Sequence, residues 1–203
     1  MAPFGQPVDQ PIRLCLASSD GSLWFDAPNL FGRCKDNQLQ FYDMAPPRGV
    51  THALEDRNGH VWFGSWGGGL CRYDGGRFSN YTRDDGLAHD EVEAICHSRS
   101  GDMWFATRGG GASRYDGHRF TNYDTADGLP HNLLWSIYED KAANLWFGSN
   151  STKLTRFDGE RFVAETDLGL HPASAMIWSF CEDHNGHLWF ATNGSGIACY
   201  DGE

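Results

Sequence analysis

Apolar positions recur along this chain at regular intervals. Leu23-Trp24-Phe25, Val61-Trp62-Phe63, Met103-Trp104-Phe105, Leu145-Trp146-Phe147 and Leu188-Trp189-Phe190 are five copies of one pattern, with tryptophans 38, 42, 42 and 43 residues apart. Short, partly alternating segments surround each copy, as expected of strands. In the third copy they predict strands over 92–96, 103–107, 112–115 and 119–123. Ser100-Gly101-Asp102, Gly109-Gly110-Gly111 and Asp116-Gly117 lie between them, and these residues suit tight turns. Adjacent Trp and Phe on one strand point to opposite faces. A sheet covered on both faces buries both, so the five repeated tryptophans are assigned to the core.

Four strands per repeat, at a period of about 40 residues, predict an all-β propeller. The reading is five four-stranded blades in a single domain over residues 1–203, centred on Trp24, Trp62, Trp104, Trp146 and Trp189. The fifth copy ends at Glu203 after its third strand. Phe4, eight residues before Ile12, fits the place of Phe78, Phe120 and Phe162 in other copies. The N-terminal segment is therefore expected to supply the last blade's outer strand and close the ring, so that no strand edge is left open. A ring shared by two chains is the structural alternative.

Charge narrows the partners. The formal net charge of −11 opposes binding to nucleic acid or to an anionic membrane surface. No apolar run approaches the ~18 residues of a transmembrane helix, so no membrane insertion is expected. Residues 1–10 lack the basic-then-apolar pattern of a leader. Six cysteines, Cys15, Cys34, Cys71, Cys96, Cys181 and Cys199, form no CxxC pair. Cys96 and Cys181 share one register and Cys34 and Cys199 another, which places each pair in different blades, too far apart to bridge. They read as small buried apolar residues.

Asp85-Gly86-Leu87, Gly101-Asp102-Met103-Trp104-Phe105-Ala106-Thr107 and Arg114-Tyr115-Asp116-Gly117 resemble in series the two-component regulator propeller repeat. Asp127-Gly128-Leu129-Pro130-His131-Asn132, followed by Glu139-Asp140, resembles it again, as do residues 177–202. The first copy departs, with Asp26-Ala27-Pro28 where the others have Gly or Ala and then Ser or Thr. The resemblance implies an extracytoplasmic sensor propeller of the kind found in hybrid histidine kinases, often binding saccharides. Unpaired cysteines point instead to reducing conditions, so the compartment stays open. No kinase module follows the repeats, so a signalling output is not expected of these residues. Lyases of the virginiamycin B type are similar propellers, but their catalytic residues do not map onto this sequence.

In a propeller the interblade loops and the second-to-third-strand loops share a face. The interblade loops offer Arg48, His89, Asp90, His131, Asn132 and His171. Four residues after each tryptophan stand Pro28, Trp66, Arg108, Asn150 and Asn193, and eleven before stand Arg13, Thr51, Glu93, Trp135 and Trp178. The repeat is uniform around these positions, yet the residues at them differ from blade to blade. Trp66, Trp135 and Trp178 lie outside the repeat pattern. With Arg13, Arg108, Glu93, His89, His131, Asn132, His171, Asn150 and Asn193 they are the candidate ligand-binding set. Tryptophan faces stack on sugar CH groups or aromatic rings, and Arg and Asn orient polar groups. The bland alternative is that Trp135 and Trp178 plug a narrow axis.

His89, His131 and His171 recur in one loop position, but ligands to one metal must converge within about 2 Å of it. Turn chemistry explains them more simply, and no metal or cofactor is expected. Asp56-Arg57-Asn58-Gly59 and Asp183-His184-Asn185-Gly186 echo the start of a calcium loop without its distant glutamate and read as hairpin turns. No nucleophile elbow, HExxH, phosphate loop or dinucleotide fingerprint is present. The leading reading is a sensor-type or lectin-like binding propeller for a saccharide or small polar or aromatic ligand, monomeric, with a dimer as the alternative. The competing readings are a lyase or hydrolase using Glu93 and the histidines at the same mouth, or an interaction scaffold or propeller fragment without its own ligand.

Overall fold

The computed structural model describes residues 12–27, 30–42, 49–167 and 176–202, with the side chains of 165–167 left out. Phe4 and the expected closing strand lie outside these residues, as do Pro28, Arg48 and His171. Among the described residues nineteen strands make five antiparallel sheets whose strands neighbour one another in chain order. Blade one is β1 (Arg13–Ala17), β2 (Leu23–Ala27), β3 (Leu30–Lys35) and β4 (Gln38–Phe41). Blade two is β5 (Val50–Glu55), β6 (Val61–Ser65), β7 (Leu70–Tyr73) and β8 (Phe78–Tyr81). Blade three is β9 (Val92–His97), β10 (Met103–Thr107), β11 (Gly111–Tyr115) and β12 (Phe120–Tyr123). Blade four is β13 (Leu134–Glu139), β14 (Leu145–Ser149), β15 (Lys153–Phe157) and β16 (Phe162–Asp167). Blade five contributes three described strands, β17 (Ile177–Glu182), β18 (Leu188–Thr192) and β19 (Gly196–Tyr200). No α-helix occurs among the described residues. The fold is the all-β propeller the repeat predicts.

The inner strands pack in chain order, β1 on β5, β5 on β9, β9 on β13 and β13 on β17. Between blades the core is rebuilt four times from the same parts. Trp24 packs with Phe63 and Tyr73, Trp62 with Phe105 and Tyr115, Trp104 with Phe147 and Phe157, and Trp146 with Tyr200. Each tryptophan thus belongs to one blade and is buried by the next. On its own sheet an arginine faces it, Arg33 over Trp24, Arg72 over Trp62, Arg114 over Trp104 and Arg156 over Trp146, at 5.5–6.0 Å from the rings. The indole N–H donates to a turn residue six positions earlier, Trp62 to Asp56 at 2.9 Å and Trp146 to Asp140 at 2.8 Å. That bond satisfies the polar edge of an otherwise apolar ring. Burial alone would raise the Asp56 carboxyl, but bonds from Trp62, His60 and Asn58 hold it below the usual carboxylate range.

A second set of bonds ties neighbouring blades at the first turn. Ser19 N–H donates to Glu55 at 2.6 Å, Arg57 N–H to His97 at 3.2 Å, Arg99 N–H to Glu139 at 2.8 Å and Lys141 N–H to Glu182 at 2.8 Å. The donor always stands five residues before its blade's tryptophan, and the acceptor seven residues before the next blade's.

The glycine run after the second strand has a steric cause. At Gly69 and Gly111 φ is +73° and +79°, and an added Cβ would lie 2.1 Å from the Tyr81 and Tyr123 carbonyl oxygens of the outer strands. Thr107 Oγ1 donates to the Gly111 carbonyl, closing the turn. Gly196 has the same φ region, at +76°, but open space around it.

Trp104→Ala should lower unfolding free energy in urea by about 3–5 kcal/mol, because a fully buried ring leaves a cavity. Unchanged stability would mean the blade interface does not depend on that ring. Gly111→Ala should destabilise more than Gly101→Ala. Both glycines have positive φ, but only at Gly111 does the new Cβ meet backbone.

Candidate ligand-binding site

Alternation along the inner strands and the position after each second strand deliver side chains to one rim. Trp66 and Arg108 immediately follow β6 and β10, and Trp135 and Trp178 are the second residues of β13 and β17. Four of the twelve predicted residues meet there in one stack. The Arg108 guanidinium lies 5.7 Å from the Trp66 ring centre and 5.2 Å from that of Trp135. Trp135 and Trp178 follow with ring centres 5.0 Å apart. The order Trp66, Arg108, Trp135, Trp178 therefore runs across blades two to five. Glu91 supports Arg108 at 3.8 Å, and the Trp135 indole N–H donates to Asn150 Oδ1 at 3.3 Å. Trp66 is 63% exposed and Trp178 49%, so aromatic faces remain open to solvent.

Trp66 also walls a cavity of about 580 Å³ with Arg13, Asp26, Val50, Thr51 and Glu93. Arg13 grips Asp26 through two nitrogens, at 3.0 and 3.1 Å. The pair presents a fixed guanidinium edge to the cavity. Glu93 Oε1 is buried with no hydrogen-bond partner among the described residues. Its carboxyl is raised above the ordinary value, first by burial and also by the Glu91 charge, with the Arg108 charge and the Trp66 indole N–H pulling the other way. A buried acceptor without a donor is costly unless it is protonated or bonded by something else.

The remaining predicted residues serve their own loops. His89 Nδ1 accepts from Glu91 N–H at 3.1 Å, and His131 Nδ1 accepts from Leu133 N–H at 2.9 Å. These are turn bonds within two residues, which accounts for the recurrence of histidine. Asn132 accepts from Thr125 N–H with its side chain and from Gly109 and Gly111 N–H with its carbonyl. Asn193 joins its blade through its backbone N–H, bonded to the Met176 carbonyl. Among the described residues no group of His, Cys, Asp and Glu is placed to hold a metal ion. Asp26 and Glu91 were absent from the sequence-derived set. Asp26 departs from the Gly or Ala of other copies, a signal that was readable. Glu91 stands in a variable loop and carried none.

Comparison with known proteins places the fold. The two component regulator propeller family model matches residues 45–67 and 172–194, which span the second and fifth tryptophan repeats. No curated protein sequence matches. Among solved structures, the extracellular domain named for the hybrid two component system BT3049 from B. thetaiotaomicron superposes with a TM-score of 0.79 at 19% identity, over 96% of this chain and 28% of that one. The extracellular domain named for BT4673 of the same organism gives 0.75 at 17% identity, over 98% and 32%. This chain thus spans about a third or less of those domains. A catalytically inactive virginiamycin B lyase from Staphylococcus aureus, solved with Quinupristin, gives 0.71 at 20% identity, over 95% and 71%. At these identities the likeness is one of fold.

Glu93 yields a test of the cavity. Its folded pKa is raised above the ordinary 4.5, so as pH rises past that value the unfolded chain releases a proton that the folded chain retains. Its contribution to stability is therefore full at low pH and is lost as pH rises through the folded value. Glu93→Gln carries no such loss. The Tm of the variant minus that of the parent should grow as pH rises above the ordinary 4.5. A pH-independent difference would mean that the carboxyl is not desolvated.

Proposed function

We propose that this chain, in which two component regulator propeller repeats are recognisable, is a sensor-type binding propeller. Its ligand is a saccharide or another small, flat, hydroxyl-rich molecule. The observation that carries the reading is the Trp66–Arg108–Trp135–Trp178 stack bordering the cavity lined by Arg13, Asp26 and Glu93. Exposed indole faces offer the apolar platform on which CH groups of a sugar ring stack. The Arg13–Asp26 pair and the unpartnered Glu93 oxygen offer the donors and acceptor that orient hydroxyls. A few polar anchors on apolar walls are the usual composition of a small-ligand site. The asymmetry of the rim favours one site for the whole body over one site per blade, because blades one to four differ at these positions, and only blade five repeats blade four, with Trp178 and Asn193 for Trp135 and Asn150. A lyase or hydrolase reading needs a compact acid and base. His89 and His131 bond their own loops, which weighs against it.

A panel of glycans and metabolites, screened by intrinsic tryptophan fluorescence, should return a ligand whose signal is lost in Trp135→Ala/Trp178→Ala. The double variant should keep the far-UV spectrum and melting of the parent, since neither ring belongs to the repeated core. A ligand bound equally by the parent and the double variant would overturn the stack as its site.

A further inference from the structure

The charge of the rim is not what its two arginines suggest. Arg13 and Arg108 are of the type that holds a carboxylate or phosphate on a ligand. Each already has such a partner inside the protein. Arg13 is bonded to Asp26 through two nitrogens, and the Val50 N–H donates to the same carboxylate at 3.2 Å. Arg108 lies 3.8 Å from Glu91, with its guanidinium over both Trp66 and Trp135. These two pairs cancel, and Glu93 is left over. The cavity walled by Arg13, Asp26, Trp66 and Glu93 therefore carries one uncompensated negative charge.

The side chains around Glu93 do not supply the missing countercharge. Thr51 lines the same cavity, but its hydroxyl donates to the Val92 carbonyl. The Trp66 indole N–H favours the ionised form of Glu93 without being a cation. Glu93 Oε1 has no donor among the described residues. The aromatic wall points the same way. An indole face attracts cations through its quadrupole, beyond its apolar contribution. The chain itself uses that attraction, since Arg108 is held over two indoles. Trp66 is largely exposed and borders the cavity beside Glu93, so an organic cation there meets an indole and a carboxylate together.

We infer that the ligand of this rim carries a protonated amine, which pairs with the Glu93 carboxylate while the ring that bears it lies against the indoles. Among saccharides this selects sugars with free amino groups over N-acetylated, neutral or acidic ones. This amine preference rests on the binding role proposed above and adds the ligand's charge to it. A hydroxyl can bond to Glu93 but leaves its charge unmatched as the ligand excludes water, which is costly. An ammonium supplies the donor and the countercharge together. An acidic sugar brings a second negative charge to a wall whose arginines are already paired, and is repelled.

Three trisaccharides test this on the full chain: the trimer of glucosamine, the same trimer N-acetylated, and the trimer of galacturonic acid. Their Kd values are read by intrinsic tryptophan fluorescence and by calorimetry at about pH 6.5, where the amines are largely protonated. Glu93→Gln and Glu160→Gln each remove one negative charge, the first from the cavity and the second from an exposed hairpin of blade four. In the parent and in Glu160→Gln the glucosamine trimer should bind at least about tenfold more tightly than its acetylated form. In Glu93→Gln that preference should vanish. Binding of the glucosamine trimer that is absent, or no tighter than that of the acetylated or acidic trimer, would overturn the amine. A preference that persists in Glu93→Gln, or falls equally in Glu160→Gln, would overturn Glu93 as its partner. The binding role fails separately. An acetylated or acidic trimer that binds best and is lost in Trp135→Ala/Trp178→Ala would leave the stack as a saccharide site without the amine. An amine preference that survives in that double variant would leave the Glu93 site without the stack.

Discussion

One contact sets the rest of this molecule: the second-strand tryptophan of each blade, buried by the blade that follows. A single four-stranded sheet cannot cover an indole on its outer face, so no blade completes its own core. The Phe and Tyr rings of the next blade provide the missing wall, and the turn carboxylate or hydroxyl satisfies the indole N–H. Stability is therefore shared between neighbours, as in other repeat bodies. The arginine facing each ring adds a cation over its surface while keeping a charged head near water.

That constraint also explains where variation is tolerated. Residues at the interface are held to a narrow set, because each must fit both its own sheet and the neighbouring one. Residues at the rim, four after the tryptophan or at the start of the inner strand, lie outside the buried clusters of the interfaces. There blades two to four carry Thr51, Glu93 and Trp135 in one register and Trp66, Arg108 and Asn150 in the other. Regular interfaces fix the spacing of the rim, and the irregular residues on it form a stack that borders a cavity. A surface shared by four blades then arises from blades that are individually incomplete.

Much of the fold was legible in the chain itself. The tryptophan period and the Asp-Gly hairpins located the strands of blade three to within a residue, because turn chemistry and strand alternation agree there. Blade one was less legible, since it carries Asp26-Ala27-Pro28 where the other copies have Gly or Ala and then Ser or Thr. At the site, spacing from the tryptophans was enough to assemble Trp66, Arg108, Trp135 and Trp178 on one rim. It could not show that Arg108 bridges two rings, which depends on distances between blades. Nor could it separate histidines that bond their own loops from histidines free to act.

Indole N–H hydrogen exchange, read by NMR on the ¹⁵N-labelled chain, tests most directly whether each tryptophan owes its burial to the following blade. Trp24, Trp62, Trp104 and Trp146 are expected to exchange slowly, and Trp189, which is 42% exposed, to exchange much faster despite its bond to Asp183. Slow exchange at all five in a monomeric sample would contradict the account, because Trp189 would then be buried without a successor.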